Sequence, residues 1–173
     1  MSKYKEIILE ALQEAKQVGN LYHATTLEQA LHILATNKLK AVRDIGISTS
    51  RQLNNVYTRD SDIIFVLDGD KLSNKYKLEP FRYPDSINSY ETIIQTNKKP
   101  QNIYDYHNML IDLFNNDQEE SEIVLKGSVL NNLDNYLIKI LINKNNIKTN
   151  DSRIQRQLEL LETLSPVPID YMN

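Results

Sequence analysis

Apolar residues fall at three- and four-residue intervals in four stretches of the chain, and each predicts a helix with one buried stripe. The first covers residues 3–18, with Tyr4, Ile7, Ile8, Ala11, Leu12 and Ala15 on the stripe and Gly19-Asn20 as its stop. The second opens at Thr25-Thr26, where Thr25 with Glu28, or Thr26 with Gln29, forms a capping-box pattern. It carries Leu27, Ala30, Leu31 and Leu34 on its stripe and stops at Asn37. The third spans 101–115 through Ile103, Tyr106, Leu110, Leu113 and Phe114, and the fourth spans 152–164 through Ile154, Leu158 and Leu161.

Between these lie shorter runs with the character of strands. Leu21-Tyr22-His23 suits a short buried strand, residues 45–50 a second, and the polar residues 51–60 a turn or short helix. Residues 63–68 are apolar on both faces, which predicts a central strand that Gly69 stops. Residues 75–81 alternate in part, and Pro80 assigns them to an edge or a strand end. Residues 122–126 and 136–142 are rich in branched apolar side chains and read as strands. Residues 82–100 form a long loop or lid, and Pro166-Val167-Pro168 a tail. Helices early and late around short strands that do not alternate regularly with them make an α+β pattern. No repeat or linker divides it, so residues 1–173 read as a single domain.

Composition narrows the chemistry. The chain of 173 residues has 40% hydrophobic and 25% charged residues, enough for a packed core. It has no cysteine, which excludes disulfides, thiolate metal sites and a cysteine nucleophile. His32 falls off its helix stripe and His107 lacks a carboxylate partner, so no metal site is expected. A net charge of −3 gives no global field for nucleic acid, although Lys38, Lys40, Arg43, Arg51 and Arg59 make one basic stretch. No apolar run approaches the ~18 residues of a membrane span, and the first residues lack a signal peptide's apolar core. A cytoplasmic protein is expected. The abundance of Asn, Lys and Ile, with their AT-rich codons, suits a bacterial or phage source.

Three stretches could carry chemistry: Leu21-Tyr22-His23-Ala24-Thr25-Thr26, Ile47-Ser48-Thr49-Ser50-Arg51 and Glu120-Ser121-Glu122-Ile123-Val124-Leu125. Were they to meet in one cleft, a strand-end histidine, a row of hydroxyls and a fixed carboxylate would form a compact polar site. A carboxylate held at the start of an apolar strand can stabilise an oxocarbenium-like sugar centre, and Glu120 could add a second. Structural readings stand beside each of these. His23 could be a hydrogen-bonding strand end, Thr25 a helix cap, Ser48-Thr49-Ser50 a chance pattern, and residues 118–122 a solvated acidic loop.

Taken in order, the three stretches resemble the ADP-ribosyltransferases, which split NAD at the nicotinamide–ribose bond. Tyr22-His23-Ala24-Thr25 followed by a helix resembles the His-Gly-Thr or His-Gly-Ser element of one branch. There the histidine holds the ribose, and the backbone of the next residue meets the nicotinamide amide. Ser48-Thr49-Ser50 is similar to the Ser-Thr-Ser strand of the branch that begins with arginine, and Glu120-Ser121-Glu122 to its Glu-x-Glu, whose second glutamate is catalytic. Two departures are plain: His23 stands where the Ser-Thr-Ser branch has arginine, and Ala24 where the histidine branch has glycine.

The resemblance implies an ADP-ribosyltransferase-like fold of two small, roughly orthogonal β-sheets flanked by helices, with NAD in the cleft between them. It implies His23, Glu120 and Glu122 as catalytic residues, with Ser48 positioning Glu122. Tyr22, His23, Ala24, Thr25, Ser48, Thr49, Ser50, Arg51 and Tyr57 would contact NAD, with Tyr57 stacked on nicotinamide. The implied function is mono-ADP-ribosylation of a macromolecular acceptor, protein rather than nucleic acid, by a bacterial or phage effector using no metal. A non-catalytic NAD or nucleotide binder of the same fold, and a nucleic-acid-modifying transferase, remain as alternatives.

Overall fold

The computed structural model describes residues 19–41, 46–51, 53–54, 56–76, 78–80, 120–124 and 129–172, with 56, 78–80 and 120–124 described as backbone. The helices expected over 3–18 and 101–115, the loop 82–100 and His107 lie outside the described residues. Among the described residues the architecture is α+β: one sheet of seven strands, one of two, and helices packed on the larger sheet.

In chain order the elements are β1 (Asn20–Thr25), α1 (Leu27–Thr36), β2 (Lys38–Lys40), β3 (Ile47–Ser50), α2 (Val56–Arg59), β4 (Ile63–Asp68), α3 (Gly69–Lys75), β5 (Leu78–Pro80), β6 (Glu120–Val124), β7 (Val129–Asn131), β8 (Leu137–Asn143), α4 (Ser152–Leu164) and β9 (Ile169–Met172). A 3-10 turn, Leu133–Asn135, joins β7 to β8. The large sheet runs β5-β6-β3-β1-β4-β8-β9, and the small one pairs β2 with β7. The expected pair of small sheets is therefore one broad sheet and one short ribbon.

β4 is a central strand because neither of its faces can meet water. Ile63, Phe65 and Leu67 enter the main core with Leu21, Ile47 and Ile140, while Ile64 and Val66 join Leu141 on the opposite face. α1 and α4 pack on each other and cover the main core with Leu27, Ala30, Ile33 and Leu161. Ile33 lies outside the narrow stripe read from the sequence, because α1 meets both the sheet and α4.

Helix ends follow local chemistry. Asn37 takes the left-handed conformation that closes α1 (φ 52°, ψ 35°), and its side chain pairs with Asp134 at 2.9 Å. β4 stops before Gly69 as expected, and Gly69 also starts α3, capped by Asp68, whose Oδ1 accepts from the Lys71 amide at 3.0 Å. Its amide donates to the Gly19 carbonyl at 2.9 Å, and a Cβ on Gly69 would sit 2.3 Å from that oxygen. The expected tail, Pro166-Val167-Pro168, leads into β9, which runs parallel to β8 with α4 in the crossover between them.

Candidate functional site

Strands β1, β3 and β6, which carry the three stretches singled out in the sequence, are neighbours in the large sheet. β3 and β6 pair over several residues, with Ser48 opposite Ile123 and Thr49 opposite Glu122. The register then slips between Thr49 and Ser50, so that Ser50 stands opposite Glu120 and β6 carries one extra residue. Thr49, not Ser48, is thus the residue facing Glu122 across the ladder.

Between β1 and β3 the ladder is one pair, Tyr22 opposite Ser50. Extending that antiparallel register would set Ala24 opposite Ser48. The His23 side chain bridges the strands there instead: Nδ1 donates to the Ser48 carbonyl at 2.8 Å. A carbonyl only accepts, so Nδ1 bears the hydrogen and, in the neutral ring, Nε2 is an acceptor. Desolvation lowers the His23 pKa below its ordinary 6.5, opposed by the bond to Ser48. At neutral pH the ring is accordingly uncharged, and its tautomer is fixed by the backbone of β3.

Beside this bridge opens a cleft of about 710 Å³, within the usual ~300–1,000 Å³ of small-molecule sites. Tyr22, His23, Ala24, Thr25, Ser48, Thr49, Ser50 and Tyr57 all line it. Arg51, half-buried just past β3, is not among the lining residues. Thr49 and Ser50 are buried, whereas Tyr57, on α2, is 48% exposed. The cap of α1 is Thr26, whose Oγ1 accepts from the Gln29 amide at 3.2 Å, so Thr25 is not the cap.

Sequence reading missed the cleft's outer wall, formed by Thr58, Asp60, Ser61 and Asp62 together with Gln29. This wall is tied down from β8. Asn143, itself buried, donates Nδ2 to the Arg59 carbonyl at 3.0 Å and its amide to the Asp62 carbonyl at 2.9 Å. Asn146 donates to the carbonyls of Arg59 (2.7 Å) and Ser61 (2.8 Å). Asp62 reaches across to α1, where its Oδ2 accepts from the Leu27 amide at 3.1 Å. A clue was present in Asp62 standing directly before the strongest strand, but its partner on α1 depends on the antiparallel pairing of β4 with β1.

Of the basic stretch, Lys38, Lys40 and Arg59 are exposed and none lines the cleft. Among the described residues, no group of three or more metal-ligating side chains could hold a metal ion, and no helix is long and apolar enough to cross a membrane. Comparison with known protein families and with curated proteins finds no match to this chain.

Proposed function

We propose that this chain is an NAD-dependent mono-ADP-ribosyltransferase acting on a macromolecular acceptor, protein rather than nucleic acid, as a bacterial or phage effector. The observation that carries the reading is the adjacency of β1, β3 and β6, with His23 bound to Ser48 beside an open cleft. Three motifs far apart in sequence and ordered as in that family meet in one sheet, which chance motifs have no reason to do.

On this reading His23 accepts a ribose hydroxyl at Nε2, and Tyr57 stacks on the nicotinamide ring. Glu122, opposite Thr49 on β6, stabilises the positive charge that develops at ribose C1′ as the bond to nicotinamide breaks. The bond's electron pair leaves with nicotinamide, Glu120 orients the acceptor nucleophile, and that nucleophile bonds C1′ and gives up its proton.

The test is nicotinamide release from NAD in the presence of cell lysate, with Glu122→Gln as the comparison. Wild-type release, lost in Glu122→Gln while NAD affinity stays within a few-fold, is the expected result. Full turnover by Glu122→Gln would refute the assignment, and NAD binding without release by the wild type would indicate a binder of the same fold.

A further inference from the structure

We infer that Asp62 is a specificity-determining residue of the cleft, selecting the oxidised, cationic nicotinamide end of a dinucleotide over its neutral reduced form. The inference rests on the dinucleotide reading above and adds to it a residue that the motifs do not contain.

The argument starts at the N-terminus of α1, a place where helices commonly receive ligand phosphates. Here it is already occupied. Thr26 Oγ1 takes the Gln29 amide at 3.2 Å, and Asp62 Oδ2 takes the Leu27 amide at 3.1 Å. A phosphate brought to this turn would meet a carboxylate in its place. Asp62 is also rigidly held, because Asn143 binds its carbonyl and Asn146 binds that of Ser61. Its half-buried side chain lines the cleft.

Among the described residues, the lining includes no lysine or arginine. A cleft of 710 Å³ is only about as wide as the ~10 Å Debye length at 0.1 M salt, so a fixed carboxylate on its wall is felt throughout. Such a cleft suits a cation. The oxidised nicotinamide ring carries one positive charge and the reduced ring none, while both dinucleotides share the same phosphates. Tyr57, which would stack on that ring, also lines the cleft, and the chain runs from its helix through Asp60 and Ser61 to Asp62.

The discriminating variant is Asp62→Asn, whose amide oxygen still accepts from Leu27 while the charge is gone. Calorimetric titration of the full chain would compare NAD+, NADH and nicotinamide riboside at low and high salt. The expected result is NAD+ binding roughly fivefold or more tighter than NADH at low salt, the order of one ion pair in a partly solvated site. Asp62→Asn should cut that preference severalfold with an unchanged melting temperature, and high salt should shrink it in the wild type. Equal affinity for NAD+ and NADH in the wild type, or a preference undiminished in Asp62→Asn, would overturn the role of Asp62 while leaving the dinucleotide reading intact. Binding of none of the three ligands would overturn both.

Discussion

The two nitrogens of His23 do different work, and two substitutions separate them. Asn at this position sets an amide nitrogen near the place of Nδ1, so His23→Asn keeps a donor for the Ser48 carbonyl and removes the Nε2 acceptor. Gln reaches to the place of Nε2, so His23→Gln offers an acceptor to ligand and gives up the 2.8 Å bond to Ser48. A neutral hydrogen bond contributes about 0.5–1.5 kcal/mol net. In a domain of this size 1 kcal/mol shifts the melting temperature by roughly 2–4 °C, so His23→Gln should melt a few degrees below wild type and His23→Asn close to it. For ligand the order reverses. Loss of the Nε2 acceptor, about 1 kcal/mol, should weaken NAD about fivefold in His23→Asn, and His23→Gln should bind more tightly than His23→Asn.

Acidification tests the same nitrogen in the wild type. With the folded pKa pushed below 6.5, the ring is mostly neutral at pH 6.5 and takes up its proton mainly at lower pH. Protonated Nε2 donates and no longer accepts. NAD affinity should hold down through pH 6.5 and fall below the folded pKa, a fall absent in His23→Asn. Stability follows the same sign: below 6.5 the unfolded chain binds the proton before the folded one, so this group's contribution is lost as pH drops through that window. Melting curves and calorimetric NAD titrations over pH 5–8 on the three proteins read all of this. Wild-type NAD affinity in His23→Asn would refute the acceptor role of Nε2, and an unchanged melting temperature in His23→Gln would refute a stabilising bond to Ser48.

Two further outcomes follow from packing around the site. Gly69→Ala would bring a Cβ to 2.3 Å from the Gly19 carbonyl, which is backbone at the head of β1 and cannot step aside as a side chain would. Overpacking together with a strained hydrogen bond should destabilise by about 2–4 kcal/mol, seen as a melting temperature lower by about 5–15 °C; a change under 2 °C would show that the two turns separate freely. Asn146→Ala strips the donor shared by the Arg59 and Ser61 carbonyls, so the wall carrying Asp60 and Asp62 should loosen. Faster amide hydrogen exchange over residues 57–62, with β1 unaffected, is the expected reading, and uniform exchange in variant and wild type would contradict it.

What the sequence could disclose about this fold depended on where the information sits. β4 and α4 were legible because their patterns are local: a five-residue apolar run buried on both faces, and a stripe at helical spacing. β2 and β7 were not, since each is three residues with one inward leucine, and Leu39 and Leu130 make sense only as a pair. β9 was hidden behind Pro166 and Pro168, because its strand character comes from the edge of β8 that α4 delivers it to. α3 was hidden by Gly69, which looks like a stop until the close approach of Gly19 gives the glycine its reason.

The same division runs through the cleft. Its inner side comes from β1 and β3, whose residues are contiguous in sequence and could be named from their order. Arg51, one residue beyond β3, is not among the residues that line the cleft. The outer wall has no motif at all. Asp62 gains its place from two contacts, one with α1 and one with β8, and neither is inferable from the polar run in which it stands. A pattern built on strands can therefore point to where a sugar would be held. Which charge the ligand may carry is decided by tertiary contacts, and here those contacts set a carboxylate where an anion-binding helix end would otherwise face the cleft.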